Sequence, residues 1–158
     1  MTHKRKAFKP KRNTPKSDAS TAMSRYIRLR DALAYCNENG IDVSQFSRPE
    51  DIIGECCTCG KVGSWCRMDA GHYKGRGIGG GSGTYFDERN VHLQCKQCNA
   101  FGGGKPKEHE EYILDKYGAD VLADIERKHH MPIDMGDMAM MATERYYKDE
   151  YKKLLALI

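Results

Sequence analysis

No apolar run in this 158-residue chain approaches the length of a membrane span, and the basic, polar N-terminus has no apolar segment behind it. Neither a membrane anchor nor a secretory signal is expected, so the chain reads as soluble and cytoplasmic. No internal repeat is visible. The stretch KGRGIGGGSGTY is rich in glycine but lacks the GKS or GKT ending of a P-loop and the spacing of a dinucleotide fold. It reads as a flexible hairpin loop from which Lys74 and Arg76 could reach a phosphate. The length allows one compact core with extensions rather than two average domains.

Acidic residues are also missing from the start of the chain. Lys4, Arg5, Lys6, Lys9, Lys11, Arg12 and Lys16 all precede Asp18, so a chain of net charge +4 carries a strongly basic arm on an acidic body. An arm with so little apolar content cannot bury enough surface to fold alone, and residues 1–18 are expected to be disordered. Their charge density suits a polyanion, since each phosphate neutralised releases counterions.

Cysteine is plentiful by contrast, with seven in the chain. In an intracellular protein, paired CxxC motifs point to metal rather than to disulfides. Cys56 and Cys59 form one pair and Cys95 and Cys98 another, and together they offer four thiolates to a tetrahedral structural Zn²⁺. Cys57 sits inside the first pair and could replace Cys56. The remaining reading for Cys36, Cys57 and Cys66 is that of small buried hydrophobes.

A helix is expected over residues 19–40, with Asp18, Ser20 or Thr21 as its cap, Gly40 as its stop, and Arg25, Arg28 and Arg30 outside, facing backbone phosphates. Residues 50–105 lack long helical periodicity and read as short strands, turns and the metal site. Residues 106–158 read as helical again: one segment ends at Gly118, a second follows it, and a third starts near Asp137. Met141, Tyr147, Tyr151, Leu154, Leu155 and Ile158 share a face of that last segment, which suits core packing or a dimer face. The class is therefore α+β, with helices flanking a zinc-stapled centre.

Between the knuckles lie MDAGHYKG and then NVHLQCKQCNA, giving the order CxxC, Asp69, His72, Asn90, and CxxC with Asn99 appended. Tying both knuckles to one ion would draw His72, Asn90 and Asn99 together. This order resembles the HNH, or ββα-metal, nuclease fold in its four-cysteine form. More specifically, DAGHY, FDERNVHLQCKQCN and EYILDKYGADVLADIE look like the phage NinG/Rap recombination family, over about residues 55 to 128.

That resemblance implies a metal-dependent DNA endonuclease acting on branched DNA such as Holliday junctions and D-loops. His72 would be the general base, and Asn90 would orient its imidazole or the water. A catalytic Mg²⁺ or Mn²⁺ would be held by Asn99 and by Asp69, with His92 as the alternative ligand. One departure from the HNH pattern is Gly71, which stands where many such enzymes carry a metal ligand. Asp69 and His72 would then share a site only through a bulge at Ala70 and Gly71.

Sequence-independent phosphate contacts would come from the arm and from Lys74, Arg76, Arg89, Lys96 and Lys105. Branched or duplex DNA is the expected partner, with recombination proteins and a second copy of the chain as further ones. Two rival readings are a non-catalytic zinc adaptor that binds DNA and an HNH nuclease acting on ordinary duplex.

Overall fold

The computed structural model describes residues 13–75 and 82–158. The expected contacts from Lys4, Arg5, Lys6, Lys9, Lys11, Arg12 and Arg76, and most of the glycine loop, lie outside the described residues.

The first helix, α1 (Pro15–Glu38), starts before the expected residue 19 because Thr14 rather than Asp18 caps it. Thr14 Oγ1 accepts from the Ser17 amide at 3.2 Å, and Ser17 Oγ accepts from the Thr14 amide at 3.1 Å. Pro15 supplies a pre-set φ at the first helical position, where no amide hydrogen is needed. The end falls as expected, with Gly40 at φ +65° just past the C-cap Asn39.

Two antiparallel hairpins follow. Strands β1 (Ile53–Glu55) and β2 (Val62–Ser64) pair around the first knuckle, and β3 (Asp69–His72) pairs with β4 (Val91–Gln94). All four β4 residues are buried, since the second hairpin is covered on both faces. On one side Leu93 joins Leu29, Ala32, Cys36, Ile52, Trp65 and Met68, while Val91 joins Ala22, Met23, Ile27 and Tyr147. Buried Asp31 of α1 fixes this contact by accepting from the Leu93 amide at 2.8 Å while paired with Arg30 at 2.7 Å.

The last three helices are α2 (Pro106–Tyr117), α3 (Ala119–His129) and α4 (Asp137–Leu155). Gly118, at φ +85°, makes the break between α2 and α3. Ile113 and Ile125 close a small core with Tyr73.

Of the two uses expected for the last segment's apolar face, core packing takes most of it: Tyr147 is buried against α1, and Tyr151, Leu154, Leu155 and, past the helix end, Ile158 pack on the main core. The arginines of α1 depart from expectation: Arg28 donates to the Cys66 and Met68 carbonyls and lies over Trp65, and Arg30 donates to the Glu88 and Val91 carbonyls. Two of the three expected outward cations are therefore bracing the fold. No helix among the described residues is long and apolar enough to cross a membrane.

Candidate functional site

Cys56, Cys59, Cys95 and Cys98 come together from the β1–β2 turn and from the end of β4, with all four Sγ atoms within 4.8 Å of one another. Cys59 and Cys95 Sγ are 3.8 Å apart, and a tetrahedral zinc with Zn–S bonds of about 2.3 Å needs sulfurs about 3.8 Å apart. The donor set fits zinc.

Burial opposes ionisation of Cys56, but hydrogen bonds from the Cys95 amide and from Thr58 outweigh it and lower the thiol. Burial and the neighbouring sulfurs raise Cys59 and Cys95, a mutual repulsion that a dication would relieve. Cys57 lies outside the cluster, its thiol raised by burial, so the first knuckle uses Cys56. Cys36 is buried as expected, whereas Cys66 is exposed.

From within the second knuckle the chain makes a single π-type turn, Gln97–Phe101, which includes Cys98. Gly102, Gly103 and Gly104 end it. This turn puts Asn99 against β3: its Nδ2 donates to Asp69 Oδ2 at 3.0 Å, and Lys96 Nζ meets Asp69 Oδ1 at 2.9 Å. Partial burial works against the Asp69 charge, but Asn99, Lys96 and the more distant Arg28 together hold the carboxyl below its usual range.

Asp69 and Asn99 are thus brought together, and His72 stands apart from them. Strand β3 pairs residue for residue, Asp69 with Gln94 through His72 with Val91, without the expected bulge. Its alternation sends Asp69 and His72 to opposite faces, about 10 Å apart along the strand. Gly71 is required by a close approach, since a Cβ there would overlap Gln94 Oε1.

His72 lines a cleft of about 190 Å³ with Ser20, Ser24 and Tyr85, between α1 and the second hairpin. Its Nε2 lies 2.9 Å from the Tyr85 carbonyl, with the two rings 5.1 Å apart. A carbonyl only accepts, so Nε2 carries the hydrogen and the lone pair of the neutral ring sits on Nδ1.

The Asn90 side chain is committed to the backbone. Fully buried, it accepts from the Lys74 amide at 2.8 Å and donates to the Lys74 and Thr84 carbonyls, both at 3.0 Å. Its role here is to clamp the two ends of the glycine loop. Orientation of His72 falls instead to the Tyr85 carbonyl, one residue beyond that clamp.

His92 is also placed differently from the alternative ligand it was expected to be. It is buried with Nδ1 at 3.1 Å from His109 Nε2 and Nε2 at 3.2 Å from the Tyr117 hydroxyl. Burial, together with His109, Arg30 and Lys116, holds it well below the ordinary imidazole value. Both ring nitrogens are already used.

Among the expected phosphate contacts, Lys74 is paired with Glu126 at 2.7 Å, and Arg89 with Asp87 at 2.6 Å and Asp124 at 2.8 Å. Lys105 is exposed, in a left-handed conformation at φ +51°. Residues not anticipated from the sequence include Tyr85, Gln94, His109, Tyr117, Lys61 and Arg67. The first four act through backbone or buried contacts that spacing does not reveal.

Fold and site together define an α+β protein built on a four-cysteine centre able to hold structural zinc. The chain belongs to the NinG family: the family described as Bacteriophage Lambda NinG protein matches residues 1–156. Protein ninG of Escherichia phage 933W is 33% identical over 88 residues, which is 56% of this chain and 42% of that protein. Protein ninG of Salmonella phage P22 is 33% identical over 87 residues, 55% of this chain and 41% of that one. For Escherichia phage lambda the identity is 32% over 88 residues, 56% of this chain and 42% of the relative. The matched stretch thus spans less than half the length of these curated relatives. No solved structure matches the chain significantly.

Proposed function

We propose that this protein is a metal-dependent DNA endonuclease of phage recombination, built on an HNH-type core and hydrolysing phosphodiester bonds in branched DNA within the host cytoplasm. The observation that carries this reading is the placement of His72, set in a cleft at the end of a strand fixed to the cysteine centre, with its Nε2 on the Tyr85 carbonyl.

His72 Nδ1 would take a proton from water as the oxygen attacks phosphorus, and the bond to the 3′ oxygen would break. Asn90 supports this indirectly, by holding Thr84 and hence the neighbouring Tyr85 carbonyl in place.

Asp69 and the amide oxygen of Asn99 are the groups that would hold Mg²⁺ or Mn²⁺, which when bound would stabilise charge on a phosphate and its leaving oxygen; they lie on the opposite face of β3 from His72, so this reading requires β3 to bulge at Ala70 and Gly71 on DNA. One carboxylate and one amide fit such an ion when phosphate and water complete its shell. Lys96, whose ammonium sits on Asp69 Oδ1, is the cation beside that pair.

The unbroken β3 strand favours a second reading, a zinc-stapled adaptor that binds DNA without cutting it, because Asp69 and His72 face opposite ways. The experiment compares wild type with His72→Ala, both zinc-loaded, on a labelled four-way junction and on linear duplex, with and without Mg²⁺. Mg²⁺-dependent cutting of the junction by wild type alone supports the nuclease. Equal cutting of linear DNA would make it a duplex nuclease, and binding without cutting, in Mg²⁺ or Mn²⁺, would leave the adaptor.

A further inference from the structure

Phe101 is 85% exposed, the most exposed large hydrophobic side chain among the described residues. Its position is fixed by the turn beneath it. The Gly104 amide returns to the Cys98 carbonyl at 2.9 Å, and a Cβ on Gly102 would come within 2.9 Å of that carbonyl and 3.0 Å of the Gln97 carbonyl. Gly103 and Gly104 then take φ values of +64° and +81°, which L side chains rarely adopt. The chain thus folds back tightly on the second knuckle, leaving the ring at the tip of a short turn anchored through Cys98.

That ring forms one wall of an open concavity of about 750 Å³, whose other walls include Lys61, Arg67, Met68, Lys96 and Gln97. Three cations line it and no acidic residue does. Neither Lys61 nor Arg67 makes an ion pair among the described residues, while Lys96 reaches from the rim to Asp69. Cations beside an exposed aromatic face are the recurring chemistry of surfaces that take unstacked bases, the ring stacking on a base and the cations following the backbone.

We propose that Phe101 is a stacking platform for an unpaired or unstacked base at a DNA branch, with Lys61, Arg67 and Lys96 holding the phosphates on either side. This rests on the DNA-processing reading and adds to it a means of preferring branched over linear substrates. A fully stacked duplex offers no base face to the ring, whereas a junction or a single strand does.

The test measures binding, which is independent of cutting. Zinc-loaded wild type, Phe101→Ala and Phe101→Trp are titrated in the absence of Mg²⁺ against a four-way junction, a single strand and a linear duplex. In a parallel set the junction carries 2-aminopurine at the branch. Because Phe101 is exposed, all three proteins should match in zinc content and melting temperature.

Stacking of one base on an aromatic ring corresponds to about a tenfold change in affinity. Phe101→Ala should therefore bind the junction and the single strand about tenfold more weakly and linear duplex almost unchanged. Phe101→Trp should restore binding, with the new indole quenched by DNA, and 2-aminopurine fluorescence should respond to wild type but not to Phe101→Ala. Unchanged junction binding by Phe101→Ala, or an equal loss on all three DNAs, would overturn the proposal. Stacking at the branch by a protein that never cuts would leave this inference standing and remove the nuclease.

Discussion

Asn90 holds Lys74 by both of its backbone polar groups: the side-chain oxygen accepts from the Lys74 amide at 2.8 Å and the side-chain nitrogen donates to the Lys74 carbonyl at 3.0 Å. A third bond, to the Thr84 carbonyl, closes the base of the glycine loop. Asn90→Ala removes all three and leaves backbone groups without partners in a buried place, which should cost about 2–4 kcal/mol. Urea unfolding of the zinc-loaded protein measures this. Asn90→Asp should be similarly costly, because a carboxylate would face two carbonyls; a variant as stable as wild type would show that the clamp is dispensable.

The cysteine centre gives a sharper contrast. Cys98→Ser should lose tight zinc binding and with it the cooperative fold, because the two knuckles bring together segments far apart in sequence. Cys57→Ala should keep zinc, since Cys57 lies outside the cluster despite being next to Cys56. Metal content by mass spectrometry after dialysis separates the two; zinc loss in Cys57→Ala would reassign the first knuckle.

Gly71 and Gln94 form a coupled pair. Gln94 Nε2 is fixed by Thr58 Oγ1 at 3.0 Å and the Gly104 carbonyl at 2.8 Å, so it cannot yield to a new Cβ on Gly71 without losing them. Gly71→Ala should destabilise by about 1–3 kcal/mol through overpacking. In a double-mutant cycle, adding Gln94→Ala to Gly71→Ala should cost less than Gln94→Ala costs in wild type. Strict additivity would mean that the overlap relaxes elsewhere.

Stability should also fall in mild acid because of His109. Burial lowers His109 to about 4. In the unfolded chain its value returns to about 6.5, so the unfolded state binds more protons between those limits. The contribution is full above about pH 6.5, declines as pH falls toward 4, and amounts to roughly 3 kcal/mol when fully lost. His109→Gln should lessen that part of the stability–pH slope without abolishing it, because His92, also held low by burial, still takes up a proton on unfolding. Zinc content must be followed in parallel, because metal release is proton-linked as well; identical slopes in both proteins would assign the acid sensitivity to other groups.

Much of this was legible in the residues themselves. The helix boundaries at Gly40, Pro106, Gly118 and Asp137 follow from caps and breakers, and the four cysteines follow from spacing, because each signal is local. The capping of α1 at Thr14 is hidden in the sequence because Asp18, Ser20 and Thr21 compete for the role, and the choice rests on Pro15.

What the sequence could not show was which face each side chain takes. The juxtaposition of Asp69 and His72 depended on a bulge that spacing neither requires nor forbids. Residue type points to His92 as a ligand, to Lys74 and Arg89 as phosphate contacts and to Asn90 as the group orienting His72 or the water. Their actual partners, Thr84, His109, Glu126 and Asp124, come from distant elements or from the backbone. Those contacts exist only once the chain is folded.

The most direct measurement is chemical rescue of His72→Ala. Cleavage of a labelled four-way junction in Mg²⁺ is followed for wild type, His72→Ala and Asp69→Ala, each with and without added imidazole, after zinc content and junction binding have been matched. His72→Ala should be slowed by about 100-fold or more, as expected for loss of a general base, with part of the rate returned by imidazole. Asp69→Ala should be slowed without rescue. Cutting by His72→Ala at the wild-type rate would contradict the assignment of His72 as the base.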